Sequence, residues 1–227
     1  DLHSFPTRRS SDLHIDFPKA AVKQKYGVDI TDAWLQRTQR SITRHESGCT
    51  GSFISATGLV LTNHHCVMGC LSEISSSDHD YVEHGYNAAR NTTQNTTKAD
   101  RRSGELTCPT EILSVLIETE NVTDKVNAAT AGLTDAKANE VRKQTLSGLE
   151  AQCTAASKKN RSTGPLACES VTLYQGGQYF LYKYKRYDDV RLVFAPEQAI
   201  AAFGGDPDNF NFPRWSLDLY GDRKSVV

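Results

Sequence analysis

Six cysteines constrain this chain more than any other feature. Cys49, Cys66, Cys70, Cys108, Cys153 and Cys168 are even in number, widely spaced and free of any C-x-x-C pair. Such spacing favours a disulfide set over a zinc ribbon. A disulfide set implies an oxidising compartment, the periplasm or the cell exterior. Many pairings are open to six cysteines, and the sequence alone chooses none of them.

Length and charge bound the rest. The 227 residues allow one large domain or two small ones, with enough apolar content for a core. Net charge is −1 and the basic residues are scattered, which argues against nucleic acid as a partner and against a polybasic membrane patch. No apolar run approaches the roughly 20 residues of a membrane-spanning helix, so a soluble chain with no membrane span is expected. The two ends stand apart. DLHSFPTRRSSDL back-translates into a short-read sequencing adapter, and the terminal DRKSVV into the same adapter reversed. Residues 1–13 and 221–227 are therefore expected to be adapter-derived and set aside from fold reasoning. Residues 14–220 are then expected to be the N-terminal part of a longer secreted protein, with its signal peptide expected outside this chain.

Within that part the pattern is mostly β with appended helices. PKAAVKQKYGV suggests a short helix stopped by Gly27, and ITDAWLQRTQRSI a second one capped by Thr31 or Asp32, with Trp34, Leu35 and Ile42 on one face. GSFISATGLVLTNHH reads as a hairpin around SATG. Residues 84–104 are polar and expected to form a surface loop, with N-x-[ST] triplets at Asn91 and Asn95. TEILSVLIETENVTDKV begins as a strand, and Thr134 or Asp135 caps a helix to about Ser157, weakened by Gly148. Two or three strands follow around Gly176-Gly177, then a helical turn at PEQAIAAF.

The chemistry concentrates in two stretches. GLVLTNHHC places His64 and His65 behind an apolar run and directly before Cys66. A cystine between Cys49 and Cys66 would staple the hairpin and hold a histidine at its rim, as a general base requires. On extended backbone adjacent side chains point to opposite sides, so only one of the two histidines faces a given cleft. The same divergence counts against a metal site, although His64, His65, Cys66 and Cys70 form a conceivable ligand set. The second stretch, FGGDPDNFNFPRWSLDLY, offers Asp206, Asp208 and Asp218 as carboxylates to orient an imidazole. Gly204, Gly205 and Pro207 put the first two in a turn. Asp218 opens a strand and is the preferred candidate.

The His65-Cys66 corner resembles that of trypsin-like serine peptidases, in which the catalytic histidine immediately precedes a disulfide cysteine. Together GCTGSFISATGLVLTNHHC, DVRLVFAP and FGGDPDNFNFPR resemble the bacterial S46 dipeptidyl peptidases over most of residues 17–220. That resemblance implies a trypsin-like (chymotrypsin-fold) double β-barrel with a helical domain inserted between the barrels, of which mainly the first barrel is present. It also implies release of dipeptides from the free N-termini of peptides, in the periplasm or at the cell surface. His65 would be the general base and Asp218 its orienting carboxylate, with His64 structural and donating to a backbone carbonyl. Asn209, Phe210 and Arg214 would hold the substrate's N-terminal end. Asn209 can accept from a terminal ammonium and the Phe210 ring can offer a cation–π face. The family usually carries tryptophan at Phe210. Arg214 has donors only and suits a substrate carbonyl or an acidic partner.

No serine here occupies a nucleophile motif; Ser52, Ser55 and Ser216 are strand or turn residues. The family's serine lies beyond Tyr220, so the chain by itself is expected to be inactive. Peptides with free N-termini are the expected partners, no cofactor and no metal is expected, and a homodimer is a candidate assembly of the whole protein. Two other readings remain open. One is a catalytically silent secreted trypsin-fold binding protein, and the other a small secreted metal-binding domain.

Overall fold

The computed structural model of the chain describes residues 17–91, 104–158, 164–201 and 218–221. The elements, in chain order, are helices α1 (Lys19–Tyr26) and α2 (Asp32–Ser41), strands β1 (Ile42–His45), β2 (Thr50–Phe53) and β3 (Leu59–Thr62), and helix α3 (His64–Ile74). The short α4 (Tyr81–His84), β4 (Tyr86–Asn87), α5 (Ala88–Asn91) and β5 (Leu106–Thr107) come next. β6 (Leu113–Asn121), α6 (Thr123–Thr130), α7 (Asp135–Ser157), β7 (Ala167–Leu173), β8 (Gln178–Tyr187), β9 (Arg191–Ala195), α8 (Gln198–Ala201) and β10 (Asp218–Gly221) complete the order. They fall into two compact units, residues 1–40 with 115–186 and residues 41–114 with 187–227.

In the first unit, Gly27 ends α1 at φ 68°, and its N–H bonds the Lys23 carbonyl at 2.9 Å, a left-handed stop that glycine adopts without a Cβ clash. Thr31 caps α2 by accepting from the Trp34 N–H at 3.2 Å. Of the three apolar residues expected on one face, Leu35 alone is buried on the helix. Trp34 is exposed and Ile42 already belongs to β1. α7 runs from Asp135 to Ser157, bounded as the sequence suggests, and Gly148 sits within it in open space.

β8 shows why its run of aromatics is needed. Tyr179 and Leu181 join Val122, Val126 and Cys168 in a core cluster completed by Leu146, Leu149 and Cys153 of α7. The alternate residues Phe180, Tyr182 and Tyr184 pack instead with Leu116, Ala167, Val171 and Leu173. A strand buried on both faces loses the polar alternation of a half-exposed one.

In the second unit, consecutive neighbours in the order β4, β9, β10, β3, β2, β1 pair antiparallel, and β1 continues onto the first two residues of β6. The β2–β3 turn is shaped by Ser55, whose Oγ accepts from the N–H groups of Thr57 (3.3 Å) and Leu59 (3.0 Å). Gly51 is required by packing: a Cβ there would lie 2.8 Å from Thr43 Oγ1 and 2.9 Å from the Leu61 carbonyl oxygen. α3 buries Val67, Cys70 and Leu71, one helical stripe, against Val60, Tyr86, Cys108, Leu113, Val190 and Leu192. Part of the stretch expected to be a polar loop is therefore structural. Tyr86 and Ala88 are buried and β4 pairs with β9; a two-residue strand is too short to show periodicity. Residues 92–103, with Asn95, lie outside the described residues.

All six cysteines are paired: Cys49–Cys66, Cys70–Cys108 and Cys153–Cys168. No helix among the described residues is long and apolar enough to cross a membrane.

Candidate active site

The site is built on the β3–α3 junction. The apolar run Leu59-Val60-Leu61 ends at Thr62, whose hydroxyl donates to the Thr50 carbonyl at 2.9 Å and ties the strand end to β2. Asn63 is extended (φ −86°, ψ 149°), and α3 begins at His64. The two histidines thus stand on the first turn of a helix and not on extended backbone, correcting the sequence-based argument for their divergence. Successive helical residues are turned by about 100°, which separates the pair just as effectively. His64 is buried and His65 exposed.

His64 belongs to the fold. Its Nε2 lies 3.2 Å from the Pro196 carbonyl oxygen, at the end of β9, so the ring donates there. Burial pushes its pKa below the ordinary value; the Pro196 hydrogen bond opposes this and the neighbouring His65 adds to it. The net lowering favours a neutral imidazole, and the bond to the Pro196 carbonyl puts its proton on Nε2. Pro196 also borders a cleft of about 540 Å³, lined among others by His79, Tyr81, Arg90, Phe194 and Glu197.

His65 is held by the cystine beside it. Cys66 follows it in the chain and bonds Cys49, with Cα atoms 5.8 Å apart. A His65 ring nitrogen and both sulfur positions lie within 4.8 Å of one another. The His45 N–H pins Cys49 by donating to its carbonyl at 2.9 Å. A second bond, Cys70–Cys108, holds the same helix one turn further on.

Sequence reasoning missed the support beneath this corner. The buried His45 places Nδ1 2.7 Å from Oε1 of Glu111, which is also nearly fully buried. The Glu111 N–H donates to the Cys108 carbonyl at 3.3 Å. His45 and Glu111 thus join the segment carrying Cys49 to the segment carrying Cys108. They are 66 positions apart, so no local spacing announces the pair.

Asp218 opens β10, as expected, and its Cα is in register with Thr62 of β3. The candidate carboxylate residue therefore lies on the strand beside the one that leads into His65. Asn209, Phe210 and Arg214, together with Asp206, Asp208 and Ser216, lie outside the described residues. Ser55 is a turn-forming residue of the hairpin and Ser52 is part of β2. The conceivable metal set His64, His65, Cys66 and Cys70 is not brought together: Cys66 and Cys70 belong to different disulfides and His64 faces Pro196.

Residues 13–220 match the Peptidase S46 family model. Dipeptidyl-peptidase 7 of Porphyromonas gingivalis is 34% identical over 173 residues, covering 76% of this chain and 22% of that protein. The Asp/Glu-specific dipeptidyl-peptidase of the same organism is 31% identical over 190 residues, covering 81% of this chain and 25% of that protein. The crystal structure of Porphyromonas endodontalis DPP11 in complex with the dipeptide Arg-Glu superposes with a TM-score of 0.69 at 25% identity, over 89% of this chain and 28% of that one. The chain thus spans about a quarter of the length of these relatives. With that match over nearly its whole length, the chain belongs to the peptidase S46 family.

Proposed function

We propose that the whole protein is a serine-type dipeptidyl aminopeptidase, and that this chain carries the base half of its Ser-His-Asp machinery without the nucleophile. The observation that carries the reading is the exposed His65, fixed between a strand end and a cystine, with Asp218 on the neighbouring strand. His65 takes the proton of a serine supplied by the remainder of the protein and returns it to the leaving amine. Asp218 fixes the imidazole tautomer and stabilises the imidazolium. Asn209 and Phe210 receive the substrate's terminal ammonium, and Arg214 holds a carbonyl or an acidic partner.

The same reading makes the complete fold a trypsin-like double β-barrel, with residues 14–220 mainly its first barrel. It sets aside residues 1–13 and 221–227 as adapter-derived, supported by the family match spanning 13–220. It places the protein in the periplasm or at the bacterial cell surface, supported by three disulfides in one chain. A homodimer is its proposed assembly.

The test is to recover the full gene from source DNA, express it, and compare a peptide with a free N-terminus against its N-acetylated form. Stepwise loss of dipeptides from the free peptide alone is the expected outcome, while this chain alone releases none. Equal cleavage of both peptides overturns the need for a free N-terminus, and a full-length protein without a downstream serine overturns the catalytic reading and leaves a non-catalytic binding protein.

A further inference from the structure

The cleft bordered by Pro196 has no part in the proposed triad. Its described walls belong wholly to the second unit, and its volume of about 540 Å³ suits a small ligand. Pro196 accepts the hydrogen bond from His64, so the cleft lies one bonded contact from the helical turn that carries His65.

Its walls are fixed in place. The Tyr81 ring stacks on His79 with centroids 6.1 Å apart and meets the buried Tyr86 edge-on at 5.3 Å. Its backbone N–H donates to Ser75 Oγ at 3.0 Å, and Asp80 caps α4 beneath it. Gly85 lets the segments on either side of the cleft approach: a Cβ there would stand 2.6 Å from the Ala195 carbonyl oxygen and 2.9 Å from the Glu197 nitrogen. Apolar surface is left open in it, since Tyr81 and Phe194 are half-buried and Ile200 is 59% exposed. Such an aromatic and aliphatic lining with a few placed polar groups is what small-molecule sites share.

The charges are set apart. Glu197 backs onto Gly85, just before β4, and its exposed carboxylate makes no ion pair among the described residues. Arg90 follows β4 on α5 and is also exposed. β4 itself extends about 7 Å between those points, the reach of two residues and beyond that of a free amino acid. Asn87 lies between them. Its Oδ1 accepts from the Ala89 N–H at 3.0 Å, which leaves its NH₂ to donate to a carbonyl. We infer that the cleft is a second peptide site. It takes a short zwitterionic peptide with its ammonium at Glu197, its carboxylate at Arg90 and an apolar side chain against Tyr81, Phe194 and Ile200. Binding stands on this arrangement alone; that such a peptide is also the product of the protein's own reaction rests on the dipeptidyl peptidase reading.

Calorimetric titration of the chain itself tests this, with the dipeptide Leu-Leu and with its N-acetylated and C-amidated forms. One equivalent of Leu-Leu should bind, and each blocked form should bind about fivefold more weakly, as loss of one exposed ion pair allows. Arg90 and Glu197 are exposed, so Arg90→Gln and Glu197→Gln should keep the parent's circular dichroism. In Arg90→Gln amidation of the peptide should cost nothing further, and in Glu197→Gln acetylation should cost nothing further. Absence of binding to the folded chain overturns the proposal. So does a blocking penalty that persists in either variant, because it places the peptide elsewhere on the chain. None of these readouts involves peptide cleavage, so failure here is distinct from failure of the peptidase reading.

Discussion

Asp218 stands in register with Thr62 across the β10–β3 ladder, three residues before His65 in the chain. One antiparallel pairing thus sets the strand that opens with the proposed orienting carboxylate beside the strand that ends just before the proposed base. A carboxylate that sets a tautomer acts on turnover more than on binding. In the whole protein, Asp218→Asn should lower kcat by about 10⁴-fold with little change in KM. Steady-state kinetics on a dipeptidyl substrate would check this, and a change mainly in KM would contradict it.

The Cys153–Cys168 bond ties α7 to β7 and closes a separation of 15 residues. Its removal by Cys153→Ser/Cys168→Ser should cost about 3 kcal/mol of unfolding free energy, from the loop it no longer closes in the unfolded chain. Urea unfolding followed by circular dichroism measures it.

His45 and Glu111 are buried together, so removing the carboxylate takes away the hydrogen bond at Nδ1. Glu111→Ala should destabilise the chain by about 1–3 kcal/mol. Glu111→Gln keeps an acceptor oxygen for Nδ1–H and should cost less. Equal losses from both would mean that the hydrogen bond is not what this pair contributes.

Much of the scaffold was legible in local sequence. SATG between two β-rich runs specified the β2–β3 hairpin, since Ser55 bonds the turn and Gly58 adopts φ 87°. Thr134 and Ser157 bracketed α7 correctly. What local sequence did not carry were relations between distant residues. The Cys49–Cys66 pair, astride one hairpin, was anticipated, whereas Cys70–Cys108, Cys153–Cys168 and the His45–Glu111 bond depend on which segments the fold brings together. The start of α3 was missed because the strand signal of Leu59-Val60-Leu61 was carried through Asn63, a residue type that ordinarily precedes helices. The outward placement of His65 survived that error, since a helix start and a strand end both part neighbouring side chains.

Lys183 and Glu120 give the first unit a pH signature. Lys183 sits 2.8 Å from Glu118 and 3.3 Å from Glu120, and Lys125 is 2.9 Å from Glu120. Hydrogen bonding to Lys125, opposed by partial burial and reinforced by Lys183, holds the Glu120 carboxyl below its ordinary 4.5. Its stabilising contribution is fully present above that value and is lost as pH falls through the lower folded-state value. Lys183 is shifted upward by its two carboxylates against burial, so its contribution is present below 10.5 and lost as pH rises through the folded-state value. Urea midpoints should therefore fall at both extremes, and Lys183→Met should flatten the alkaline limb and reduce the acid one in part, since Lys125 still holds Glu120. An unchanged pH profile in that variant would contradict the assignment.

The most direct test of the account is the activity of the whole protein carrying His65→Ala. The account predicts a fall in kcat/KM of about 10⁴-fold or more for removal of dipeptides from free N-termini, with the fold intact by circular dichroism. Activity within about tenfold of the unaltered protein would show that His65 is not the base.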